Sequence, residues 1–285
     1  MAIVEKLGYV TLGVNDLDKA TEFYTRVGRL AEVERTDRTV FLTAGRDHHW
    51  LRLEKADVEG VQRVGYDVGS HENLLKAIEV LKAWNIPYDD RVRPNEDRVE
   101  HSIVFNDPGG MNIDLFYGMQ QLAAAPDNHG VNIKKILHAG WNSPNFEETV
   151  RFWIDGLGFK ISDQIEDASY FMRCGDRFHH SLLLIAGKGD KPQFNHLAFL
   201  VDSIDDVMLV RNNGLRAGAT LRSDVLKHTP SGSIAVYFRD APRGFDFEYC
   251  FEHAQLDDDH VPRRLNMKEG ISDIWQAELP DPVIA

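Results

Sequence analysis

Apolar and polar positions alternate in short bursts along this chain, and between the bursts lie stretches whose apolar residues recur three and four apart. Residues 7–14 read as a strand, and 17–27, after the capping pair Asn15-Asp16, read as a helix closed by Gly28. Strand-like runs follow at 39–43, 50–54 and 63–68, then a helix over 72–84 and strands around 102–105 and 112–117. The second half repeats this order. It has a strand at 136–141, a helix over 146–157 before Gly158, strands at 168–173, 180–185 and 196–201, a helix over 204–213, and strands at 233–238 and 245–251. Strand, helix, several strands thus occurs four times, twice per half. The short strand-to-strand connections predict α+β units with antiparallel or mixed sheets.

The two halves are copies. In the segments 7–30 and 136–159, Phe23-Tyr24 falls on Phe152-Trp153, an offset of 152 minus 23, or 129. At the same offset 81–86 lies over 210–215; farther on, Pro108 lies over Pro242 and the offset grows to 134 because the second copy has gained loop residues. A pattern present only twice is a duplicated module, not a solenoid. Two modules of paired βαβββ units are therefore expected, 1–130 and 131–253, followed by a tail at 254–285 whose polar end from Pro262 should lie on the surface.

Duplication exposes an asymmetry. His138 lies over Tyr9, Glu248 lies over Asp114, and the stretch over His196, read as 64–67, has no histidine. All three residues sit in strand-like stretches, where side chains alternate between faces. His138 should share a face with Ile136 and Gly140, and His196 with Phe194, Ala198 and Leu200. Glu248 interrupts an apolar run, where an unpaired carboxylate is costly. Two imidazoles and one carboxylate suit a divalent first-row metal and leave coordination positions open. A lone inward histidine is more often a satisfied core residue; the missing counterparts in the first copy argue for a site instead.

Composition narrows the partner. The net charge of -13, with no basic stripe to offset it, argues against nucleic acid and toward a small molecule. No apolar run approaches the ~20 residues that span a bilayer. Two cysteines and no signal-like start lead to an expected cytosolic location.

The duplicated module and the stretch His228-x7-Val236-Tyr237-x2-Asp240-Ala241-Pro242-x-Gly244-x3-Glu248 resemble the type I extradiol ring-cleavage dioxygenases of the vicinal oxygen chelate superfamily, with a similar layout over about 5–253. The resemblance implies the glyoxalase/bleomycin resistance/dihydroxybiphenyl dioxygenase fold. It implies Fe(II), or alternatively Mn(II), held by His138, His196 and Glu248, and a catechol and O2 as substrates. It further implies His180 as acid–base, His228 and Tyr237 as groups on the substrate oxygens, and a homo-oligomer with the first module as scaffold. Ala241 adds one residue to the usual Asp-Pro, and Leu226 also departs from the pattern. Counting back from Pro242 puts Phe238 in place of Tyr237. Trp141, Phe171, Met172 and Phe194 are expected to wall the pocket. The alternatives are a metal-dependent isomerase or lyase of the same superfamily and a non-catalytic binding protein. Of the other histidines, His48-His49 reads as a turn, and His253 and His260, beside acidic residues, read as solvated ion pairs.

Overall fold

The computed structural model describes residues 2–92, 97–128, 130–240, 242–267 and 271–276; Ala241 and the end of the tail lie outside them. The first half contains β1 (Lys6–Val14), α1 (Leu17–Arg26), β2 (Ala31–Arg35), β3 (Thr39–Thr43), β4 (Leu51–Lys55), β5 (Gly60–Asp67), α2 (His71–Ala83), β6 (Tyr88–Arg91), β7 (His101–Asn106) and β8 (Asn112–Tyr117). The second contains β9 (Ile133–Ser143), α3 (Phe146–Arg151), β10 (Lys160–Ile165), β11 (Ser169–Arg173), β12 (Leu182–Ala186), β13 (Gln193–Val201), α4 (Ile204–Arg216), β14 (Leu221–Lys227), β15 (Ile234–Asp240) and β16 (Phe245–Phe251). A short β17 (Arg263–Leu265) follows. The fold is α+β in two modules, each built of two βαβββ units.

Each module forms one mixed sheet, ordered β2-β3-β4-β1-β5-β8-β7-β6 and β14-β15-β16-β13-β9-β12-β11-β10-β17. The first strands of the two units run antiparallel at the centre, β1 on β5 and β9 on β13, and each is flanked by the last strand of its own unit in parallel. Side-chain caps start three of the helices: Asp16, Ser70 and Ser203 each accept a hydrogen bond from a backbone N–H three residues on. The helix expected over 146–157 narrows to α3 and then widens into a π turn, Phe152–Gly156. Gly158 does close it, at φ 78°. After α1 the left-handed residue is Arg29 and not Gly28; Gly28 is needed because a Cβ there would lie 2.6 Å from the Tyr24 carbonyl oxygen.

The facing sheets share one apolar core. Tyr66 packs on Trp153 at 5.3 Å between ring centroids, and Phe23 meets Phe247 edge-on at 5.5 Å. Polar bonds also cross between the halves: Tyr24 donates to Asp240, Tyr249 donates to the Gly28 carbonyl, and Trp153 Nε1 donates to Asp107 at 3.2 Å. Ile136, expected beside His138, instead joins this core, because the ladder skips a residue of β9 between the pairs Ala198–His138 and Phe199–Ile136.

Strand register also corrects the repeat. Thr11 pairs with Arg63 where Gly140 pairs with His196, and Tyr9 pairs with Gly65 where His138 pairs with Ala198. Arg63, one residue before the stretch 64–67, is therefore the counterpart of His196. The tail is no simple surface segment either: β17 extends the sheet along β10, and Asp273 accepts a hydrogen bond from the Lys227 N–H at 3.1 Å.

Candidate metal centre

Three adjacent strands bring the predicted ligands together. Ala198 on β13 pairs with His138 on one side and Glu248 on the other, so those two side chains flank a small residue, and His196 lies two positions along the same strand. Gly140 makes room for the His196 ring; a Cβ there would be 2.9 Å from its Cε1. His138 Nε2 lies 2.9 Å from His196 Nε2 and 3.2 Å from Glu248 Oε2, and His196 Nε2 lies 3.7 Å from Glu248 Oε2. Donors in neighbouring positions around a cation with bonds of ~2.1 Å sit about 3 Å apart, which is close to this spacing. All three side chains are buried.

Electrostatics point the same way. Neither Glu248 oxygen has a hydrogen-bond donor of acceptable geometry, an expensive state for a buried carboxylate. Burial alone would raise its pKa, yet the histidines around it, His138 foremost, hold it well below the usual carboxylate range. Burial, reinforced by His138, pulls His196 down to about 3. The pair is thus a charged carboxylate beside a neutral imidazole, the protonation states a divalent cation requires. His196 Nδ1–H donates to Asn195 Oδ1 at 2.8 Å, which leaves its Nε2 lone pair facing the site.

The three other predicted residues surround this set. The His180 ring lies 4.0 Å from that of His138, just before β12, and its pKa is driven far down by burial and by His138. His228 Nδ1–H donates to the Ser272 carbonyl at 2.9 Å, so its Nε2 accepts from Tyr237 Oη–H at 2.7 Å. Tyr237 pairs with Glu248 across β15 and β16, whereas Phe238 is buried against Phe247 in the intermodule core. Tyr237, not Phe238, therefore faces the cluster.

A cavity of about 140 Å³ opens beside these groups, walled by Ile165, Phe171, Leu183, Pro230 and Ile271. Of the expected walls only Phe171 holds. Trp141 and Met172 turn into the intermodule core, and Phe194 packs on Phe245 beside a larger groove, of about 890 Å³, where Arg222 and Arg239 both pair with Asp246.

The family model described as Glyoxalase/Bleomycin resistance protein/Dioxygenase superfamily matches residues 6–115 and 135–249. The chain belongs to this superfamily. Among similar proteins, the biphenyl-2,3-diol 1,2-dioxygenase of Paraburkholderia xenovorans is 24% identical over 271 residues, covering 89% of this chain and 90% of its own. A manganese-dependent 2,3-dihydroxybiphenyl 1,2-dioxygenase of Geobacillus genomosp. 3 is 24% identical, covering 96% of this chain and 94% of its own. The crystal structure of a Mn(II)-bound glyoxalase from Novosphingobium aromaticivorans superposes with a TM-score of 0.87 at 24% identity, covering 99% of this chain and 94% of that one.

Several histidines were misjudged from sequence. His253 is buried, not solvated; its ring lies 4.6 Å from that of His180 and 5.3 Å from that of His138, and its Nε2 accepts the His180 backbone N–H at 3.4 Å. His260 donates to the Ser162 carbonyl at 2.9 Å instead of forming an ion pair. His48 and His49 do sit in a bend, but both are buried, and they are the counterparts of His179 and His180: Leu51 of β4, paired with Val10, corresponds to Leu182 of β12, paired with Ala139, an offset of 182 minus 51, or 131. A two-residue change in offset hid that equivalence.

Proposed function

We propose that the protein is an extradiol dioxygenase that opens the ring of a catechol beside its diol with O2, using Fe(II) held by His138, His196 and Glu248. The carrying observation is the donorless buried carboxylate of Glu248, converging with two imidazole Nε2 atoms on the wall of an apolar cavity. Two histidines and one carboxylate with open positions are the set typical of non-haem Fe(II) oxygenases. When bound, the metal supplies the Lewis acidity and one-electron chemistry that bring a catechol and dioxygen together.

The chain's own groups do the rest. His180 accepts a proton from a catechol hydroxyl at its pocket-facing ring nitrogen and later returns one. Tyr237, tied to His228, presents its hydroxyl beside the substrate oxygens. Ile165, Phe171 and Leu183 keep water from the ring. An apolar cavity of about 150 Å³ admits benzene, so this one fits a single ring. Among the described residues lining it there is no Arg or Lys, which favours a monocyclic catechol with uncharged substituents.

In this reading residues 131–253 do the chemistry, 1–130 serve as scaffold and assembly surface, and Ile271 and Ser272 of the tail 254–285 complete the pocket. Buried free thiols at Cys174 and Cys250 fit a reducing, cytosolic setting. No helix among the described residues is long and apolar enough to cross a membrane. Sedimentation should give a mass well above the 32.4 kDa of one chain. The deciding experiment loads the protein anaerobically with Fe(II) or Mn(II), adds a panel of catechols and then oxygen, and follows the yellow ring-opened product. Zinc at full occupancy with no activation by Fe(II) or Mn(II) would rule the reading out.

A further inference from the structure

Behind His180, on the side away from the three metal-type residues, lies a row of buried polar groups. Asp163 on β10 accepts hydrogen bonds from the backbone N–H of Arg263 at 2.9 Å and from its guanidinium, and from His179 Nε2 at 2.9 Å. His179 Nδ1 in turn lies 3.0 Å from His180 Nδ1. Burial alone would raise the Asp163 pKa, yet these donors bring it to about 2, so it is a carboxylate. A carboxylate only accepts, so the proton of His179 sits on Nε2 and its Nδ1 offers a lone pair. His180 must then carry its proton on Nδ1, which leaves Nε2 as the bare ring nitrogen.

We infer that Asp163 and His179, braced by Arg263, fix His180 as the Nδ1–H tautomer, so that it meets the substrate hydroxyl as a proton acceptor. This rests on the dioxygenase reading above. Both are positioning residues: they act through His180 and lie outside the cavity wall. The logic is that of a carboxylate orienting a catalytic imidazole, extended by one ring.

The first module contains the same row. Arg98 Nε donates to Glu34 at 2.8 Å, Glu34 lies 3.1 Å from His48 Nε2, and His48 Nδ1 lies 3.3 Å from His49 Nδ1. Glu34 and Asp163 even occupy the same place relative to a β-bulge. There, however, the last ring packs on Tyr9 at 4.7 Å and its Nε2 is buried without a partner. The fold thus keeps the row where no metal set exists, and that row is an internal control for a purely structural role.

Nitrogen-15 NMR of histidine-labelled full-length protein, loaded with diamagnetic Zn(II) and assigned with His180→Gln, should show His180 protonated at Nδ1 and bare at Nε2. An Nε2–H tautomer overturns the inference whatever the activity. In the Fe(II) enzyme His179→Leu should lower kcat on the order of a hundredfold with KM and anaerobic catechol affinity changed less than about twofold. His179→Gln, which can donate to Asp163 and accept from His180, should recover most of that loss. His48→Leu should leave kcat unchanged, and adding His179→Leu to His180→Gln should cost nothing further. Equal losses from His48→Leu and His179→Leu, or a double variant as slow as the product of the two singles, make the row structural and sink the inference. A wild-type protein that opens no catechol sinks the dioxygenase reading instead, while the tautomer measurement still decides this one.

Discussion

Glu248 and Asp114 occupy the same position in the two modules, and the protein treats their charges in opposite ways. Around Asp114 the two histidine positions are taken by Tyr9, whose hydroxyl donates at 2.6 Å, and Arg63, whose guanidinium lies 3.7 Å away. Burial there still pushes the carboxyl up to about 6, with Arg63 opposing. Glu248 has no donor, yet neighbouring imidazoles keep it ionised. One module carries an internal cation where the other leaves space for an external one. The lesson is that the sheet tolerates a buried carboxylate at this position in either form, so the metal set is an option the fold permits and not a requirement for folding.

The sharpest way to break this comparison is to neutralise each carboxylate in turn. Glu248→Gln should reduce bound metal, measured by elemental analysis, from one per chain to none and abolish turnover, while Asp114→Asn should retain both; equal metal loss in the two would end the distinction. His180→Gln should keep its metal and bind catechol anaerobically, yet lose turnover by roughly a hundredfold or more. If its metal is lost instead, His180 is a ligand. Asn195→Ala frees the far nitrogen of His196 and should weaken metal affinity by about ten- to a hundredfold, read by competition with a chelator.

The smallest effect on turnover comes from Asp114 itself. Its folded pKa is raised from 3.8 to about 6. The extra stability that protonation gives the folded state is full below the unfolded value and is lost as pH rises through the folded one. Stability should therefore decline between about pH 4 and pH 6 by up to about 3 kcal/mol, at 1.36 kcal/mol per unit. Chemical denaturation across that range should show the decline in wild type and lose this part of it in Asp114→Asn.

The central strands were legible because they are apolar and patterned. The edge strands β2, β6 and β14, and β10 next to the edge strand β17, were not, since sequences such as YDDR and LRSDVLK carry charge on their exposed positions and read as loops. Of the site, His138, His196 and Glu248 stood out because the duplicate lacks them. Tyr237 was recognisable only through the signature, and its competition with Phe238 needed the register of β15 on β16 to resolve. Arg63 and the pairing of His49 with His180 were hidden by bulges and by two inserted residues, which a fixed offset cannot follow. His253 had no signal at all: it sits two residues past the end of β16, after Glu252 at φ 60°.

The pairing of β17 with β10 also bears on the order in which this protein can be completed. Synthesis runs from the N-terminus, so a nascent chain that has released β16 already holds both histidines and the glutamate, on strands that pair with one another. Arg263, which braces Asp163, and Ile271, which closes the cavity, arrive last. On the proposed reading, metal capture can precede formation of the substrate chamber, and a chain cut before Arg263 should retain the former without the latter.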